Sequence, residues 1–149
     1  MTHFRILGIL GLVVLVLAAC GETAPSVGEV KGFTAVCDKI NDGKRTAVDG
    51  YLSFPDSFTD SQSVVLRLYE TDAFKGAPIG VQMTIGTQAN PVEKVPDHFS
   101  DNDLHIHLAN GQVAGYGTKI RVSGNVYFPI VAQDFACALE NPLVEQPLK

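Results

Sequence analysis

From Lys44 onward, apolar and polar residues alternate with a period of two, the pattern of strands that bury one face and solvate the other. Val48, Gly50, Leu52 and Phe54 share one side of a first run, with Asp49, Tyr51 and Ser53 on the other. A turn through Pro55–Gln62, rich in Asp and Ser, precedes Val64, Leu66 and Leu68, which alternate with Val65, Arg67 and Tyr69. The loop Lys75-Gly76-Ala77-Pro78 leads to Ile79, Val81, Met83 and Ile85. Leu104, Ile106 and Leu108 alternate with His105 and His107. Ile120, Val122, Gly124, Val126 and Phe128 alternate with Lys119, Arg121, Ser123, Asn125 and Tyr127. Phe135, Cys137 and Leu139 form the last run, and Pro142 marks its end. Five or six short strands with one apolar face each bury those faces by closing into a barrel or packing as a sandwich.

Two of these runs resemble one another: Val48-Asp49-Gly50-Tyr51-Leu52-Ser53-Phe54-Pro55 aligns with Val122-Ser123-Gly124-Asn125-Val126-Tyr127-Phe128-Pro129. A glycine on the inward face of a strand packs nothing and marks a bend or a close approach of backbones, which suits strands curling around a small barrel. The stretch Lys119-Ile120-Arg121-Val122-Ser123-Gly124-Asn125-Val126 resembles the first and fourth strands of OB-fold domains. The resemblance implies an all-β, OB-like Greek-key barrel. The pattern carries one strand more than that fold needs, and residues 87–103 lack the helix that such domains often place there. A β-sandwich and a lipocalin-like mini-barrel also satisfy it.

One helix is expected before the strands. Val30, Phe33, Cys37 and Ile40 form an apolar stripe at i, i+3, i+7 and i+10, and Asp42-Gly43 supplies a stop. Such a helix would cap an open end of the barrel; an extended arm is the alternative.

The N-terminus reads differently. Met1-Thr2-His3-Phe4-Arg5, one firm positive charge, runs into an apolar stretch Ile6–Ala19 and then Cys20, the layout of a secretory signal. The stretch is shorter than the ~20 apolar residues of a membrane span. Leu17-Ala18-Ala19-Cys20 resembles the lipobox of bacterial lipoproteins. The resemblance implies removal of residues 1–19 and acylation of Cys20, with each buried methylene contributing ~0.8 kcal/mol to anchoring. In that family an Asp after the cysteine favours the inner membrane; Gly21 here favours the outer membrane of the cell envelope. Residues 20–29 then form the lipidated cysteine and a flexible tether broken by Pro25, and 30–149 the β-domain.

Charge narrows the partners. The formal net charge of −5 becomes −6 once the leader takes Arg5 away, so the mature domain lacks the broad basic surface that drives nucleic-acid binding. Its hold on a membrane comes from lipid at Cys20, since anionic lipid surfaces repel it. With Cys20 committed to lipid, Cys37 and Cys137 remain as an even pair in an oxidising compartment and are expected to bond to each other.

Chemistry is sparse. His105 and His107, at i and i+2 on a strand, point to one side, and Asp103 shares their parity. The three are a candidate zinc or copper site, to be weighed against a solvated strand face. The acidic stretch 97–103 lacks the glycine and distal glutamate of an EF-hand loop. No Gly-x-Ser-x-Gly elbow, His-Glu-x-x-His helix or phosphate loop is present. A ligand face is expected on the barrel wall, where parity places Arg67 and Tyr69 with Tyr51, Arg121 and Tyr127 nearby, although for any one of these residues ordinary cross-strand pairing is the better explanation. The expected function is a non-enzymatic envelope lipoprotein that binds a protein or small ligand near the membrane, with no cofactor. Metal binding through His105 and His107 is the alternative.

Overall fold

The computed structural model describes residues 25–58 and 60–148. The leader and Cys20 lie outside the described residues. The elements are β1 (Glu29–Val30), α1 (Phe33–Val36), β2 (Arg45–Ser53), β3 (Ser63–Tyr69), β4 (Ile79–Thr84), β5 (His105–His107), β6 (Val113–Gly115), β7 (Lys119–Tyr127) and β8 (Ala138–Glu145).

Strands β2, β3, β4, β8 and β7 follow one another around a closed barrel, because β7 pairs again with β2. Every pair is antiparallel except β4–β8. That order, with its one parallel pair, is the Greek-key closure of an OB-like barrel. The alternation expected from the sequence sets its inside: Val48, Leu52, Val64, Leu66, Leu68, Val81, Met83, Ile120, Val122, Val126 and Leu139 are all buried in one core.

Closure depends on β2 changing partners along its length. Arg45 to Tyr51 pair with β7, whereas Tyr51 to Ser53 pair with β3. Gly50 sits at the change, where a Cβ atom would come within 2.5 Å of the Tyr69 carbonyl oxygen. Gly124 lies where the β7–β8 register slips, and a Cβ there would meet Leu139 at 2.8 Å. Both repeated glycines therefore mark close approaches, as the sequence implies.

The last strand does not end at Pro142. Ser123 pairs with Leu143 and Asn125 with Glu140, so Asn141 and Pro142 bulge opposite Gly124. A bulge leaves its residues out of the ladder, which is how a strand accommodates a proline with no N–H to donate.

The supernumerary strand resolves into a hairpin, β5–β6, outside the barrel order. Val92 links it to the barrel by bridging to Ile85 on one side and Ile106 on the other. Leu104, Ile106, Leu108 and Ala114 are buried in the same core as the barrel residues, so the hairpin closes the end where β4 and β8 finish. It occupies the chain position in which an OB domain often carries a helix.

The expected helix is one turn long. Val30 is taken into β1 and Ile40 into a 3-10 turn, leaving both exposed, so the four-residue stripe does not form a face. Val36 is the fully buried residue instead. Asn41 ends the helix: its buried side-chain amide donates to the carbonyls of Ala35 at 2.8 Å and Val36 at 3.2 Å, satisfying groups a longer helix would have used. Cys37 then bonds to Cys137, at the start of β8, as the sequence predicts. The end of the expected tether is docked rather than free. Glu29 and Val30 pair in parallel with Thr46 and Ala47, and the Arg45 guanidinium donates to the Ser26 carbonyl.

Candidate functional site

The five wall residues do not form one site. Arg67 and Tyr69 are successive outward positions on β3, and Tyr51 is the cross-strand partner of Tyr69. The two tyrosines pack edge-on against Phe74, at 6.4 Å for Tyr51 and 5.8 Å for Tyr69, and Phe74 stacks on Tyr116 at 4.5 Å. Phe74 carries φ of 50°, a conformation bulky side chains rarely adopt, and the rings around it hold it there. Arg121 donates two hydrogen bonds, at 2.6 and 3.1 Å, to the carboxylate of its cross-strand partner Asp49. That bond raises its pKa further above its ordinary value, so Arg121 is a structural ion pair. Tyr127, on β7, lies apart; burial and then the charge of Glu140 push its phenol upward.

Arg67 has a different role. Its Nε donates to the carboxylate of Asp134, in the loop between β7 and β8. Its NH1 donates to the Phe54 carbonyl at 3.3 Å and lies 3.9 Å from Asp56, both just beyond the end of β2. One guanidinium thus ties together the β2–β3 and β7–β8 loops. Between them runs a groove of ≈ 390 Å³ along β3, with Phe58 and Phe135 among its walls and Arg67 at its base. In OB-type barrels this corresponds to the ligand position: the face of the second and third strands, flanked by the loops joining strands one to two and four to five.

The sequence reading missed the strongest feature beside that groove. Ile130 is 104% exposed and Val131 73%, in the same loop as the groove-lining Gln133, Asp134 and Phe135. The loop is braced at its base by Cys137 in the disulfide and farther along by the Asp134–Arg67 pair. The available signal was the run Ile130-Val131-Ala132, apolar residues placed after Pro129 and out of strand alternation.

His105 and His107 do lie on one side of β5, and a residue not foreseen joins them. Glu93 approaches His107 Nε2 at 3.0 Å and His105 Nδ1 at 3.6 Å. The His107 contact is close, yet the nitrogen is buried without a well-directed hydrogen bond. Asp103 is not brought in as the third ligand. Its carboxylate accepts from the Ser100 backbone N–H at 2.7 Å and from Ser100 Oγ at 2.9 Å, closing a capping box on the turn Asp101–Asp103. Among the described residues no group of three or more His, Cys, Asp or Glu side chains is arranged to hold a metal ion.

The Ser100 bonds hold the Asp103 carboxyl below its usual range, with a smaller contribution from His105. A carboxyl lowered in the folded state contributes stability above its unfolded pKa, and that contribution is lost as pH falls through the folded value. Ser100→Ala, which removes the hydroxyl donor and keeps the larger contribution of the backbone N–H, is therefore expected to move the Asp103 titration, followed by carboxyl carbon NMR, part of the way back up toward its ordinary range. An unchanged midpoint would contradict the capping box.

Comparison of the chain with protein families, with curated proteins and with solved structures finds no match in any of the three.

Proposed function

We propose that the chain is a non-enzymatic lipoprotein of the bacterial cell envelope, anchored through Cys20 in the outer membrane, whose barrel holds a protein partner beside the β3 groove. The exposed pair Ile130–Val131 carries this reading. Burying an aliphatic side chain contributes roughly 1.5–3 kcal/mol, and two adjacent ones at a loop tip are an anchor of the kind that dominates protein interfaces. Because the disulfide and the Arg67 strut brace the loop, little ordering cost remains to be met on binding. A small charged ligand is less well served, since the Arg67 charge is already met by Asp134. The acidic balance of the domain argues against nucleic acid.

The test is retention of envelope proteins on the immobilised full-length chain. Ile130→Asp/Val131→Asp is expected to lose a partner that the parent retains, by roughly a hundredfold in affinity. Val113→Asp, at another exposed apolar position, on β6, is expected to keep it. Equal retention by all three proteins would rule out the loop as the anchor.

A further inference from the structure

A second and larger groove shares no lining residue with the first. It arises because β4 and β8 pair over only two residues, Gly80 and Val81 with Ala138 and Leu139, before they diverge. Beyond that point β4 presents Gln82 and Thr84, and β8 presents Glu140 and the bulged Asn141. Asn125 lies opposite Glu140 on β7, and Arg45 lies opposite Asn125 on β2. The wedge between the strands has a volume of ≈ 1040 Å³.

The chemistry of this groove is unusual for the molecule. Carboxamides dominate it: Gln82, Gln88, Asn90, Asn125 and Asn141 all line it. A primary amide offers two donors and an acceptor on one planar group, which matches a hydroxyl that donates and accepts at once. The formal charges, Arg45 and Glu140, are one of each sign. Arg45 is also fixed in place, because its guanidinium donates to the carbonyls of Ser26, Asn141 and Ser123 and so welds the N-terminal arm to the β8 bulge. Three of its five N–H groups are used in this way, leaving two for a ligand. Asn90 is partly committed too, accepting from the Val144 N–H at 3.0 Å. The apolar contributions are Pro25, Ala89 and Pro142, flat or small surfaces with no deep pocket for a peptide side chain.

We propose that this wedge is a binding site for a neutral oligosaccharide, separate from the protein-binding face. Amide side chains from three strands and one loop would engage successive hydroxyls, the Arg45 donors would take an acceptor oxygen, and the proline rings would lie against sugar C–H faces. Neutrality of the ligand follows from the balanced charge of the groove.

The probes are maltotetraose and tetra-N-acetylchitotetraose, with tetragalacturonate as an acidic comparator, titrated into the ¹⁵N-labelled full-length chain in a sugar-free detergent. At least one neutral tetrasaccharide is expected to shift the side-chain amide signals of Gln82, Gln88, Asn125 and Asn141 at millimolar concentration, and the acidic one much less. Gln82→Ala/Asn125→Ala is expected to weaken that binding roughly tenfold or more. Ile130→Asp/Val131→Asp is expected to leave it unchanged. Absence of shifts with both neutral sugars would overturn the proposal. So would a stronger response to tetragalacturonate, shifts confined to other residues, or full binding by the Gln82/Asn125 variant. None of these outcomes bears on the Ile130–Val131 face.

Discussion

Replacing Cys37 and Cys137 together by alanine is expected to destabilise the domain by about 4 kcal/mol. The bond spans a sequence separation of 100 residues. The chain-entropy account assigns ~4.7 kcal/mol to a loop of that size, and native values commonly fall between 2 and 5. Its location adds to the effect. Cys137 is fully buried, and its carbonyl accepts the Gly80 N–H at 3.0 Å, beside the two-residue parallel pairing that joins β4 to β8. On the other side, Cys37 follows the fully buried Val36. The staple therefore holds the helical turn over the barrel end where its ladder is shortest. In a domain of this size the loss corresponds to a fall of roughly 10–20 °C in Tm. Reduction of the parent protein should reproduce the fall and leave the double variant unaffected. A double variant that melts within a degree or two of the parent would show that the staple contributes nothing.

Gly50→Val is expected to cost about 2–3 kcal/mol, although the residue it introduces is a better strand former. The obstacle is local: the new Cβ would fall 2.5 Å from the Tyr69 backbone oxygen and 2.9 Å from a Leu68 methyl carbon. Leu68 is fully buried and the Tyr69 oxygen is backbone, so neither relaxes cheaply. The strain lands where Tyr51 pairs with Lys119 on one side and Tyr69 on the other, the residue through which β2 closes the barrel. Gly86→Ala, whose Cβ would find its nearest neighbour at 3.9 Å, is the uncrowded counterpart and should be close to neutral. Urea unfolding of the two variants distinguishes a closed barrel from an open sandwich edge, where Gly50→Val would be tolerated.

The barrel was legible because period-two alternation is imposed by burial on one face. Residues such as Leu66, Val81 and Val122 sit inside for the reason their spacing announces. The glycines were legible for the same reason, since an inward position without a side chain has few explanations. Pro142 misled, because a proline ends a strand unless a bulge absorbs it, and the bulge depends on Gly124 across the ladder. The helix misled through periodicity: four apolar residues at helical spacing were divided between a strand, one helical turn and a 3-10 turn by Asn41 and the disulfide. Both are tertiary constraints. β6 falls outside the alternating runs because only Val113 and Ala114 distinguish it from the surrounding glycines.

The sites were less legible than the fold. Parity correctly placed Arg67, Tyr69, Tyr51 and Arg121 outward, but it could not pair them. Asp49 claims Arg121, Asp134 claims Arg67 and Phe74 gathers the tyrosines. Parity likewise placed Asp103 with the histidines, whereas a capping contact with Ser100, three residues away, holds its carboxylate. Glu93 reaches His105 and His107 from a segment with no periodic signal at all.

The most direct test of the binding proposal is photo-crosslinking in intact cells, with a photoreactive residue at Val131 in one strain and at Val113 in another. The Val131 position is expected to give one dominant adduct with an envelope protein, and adding Ile130→Asp to that chain should reduce it to about a tenth or less. Val113 should give no such adduct. Equal adducts from both positions, or none from Val131, would contradict the assignment of the β7–β8 loop as the partner's anchor.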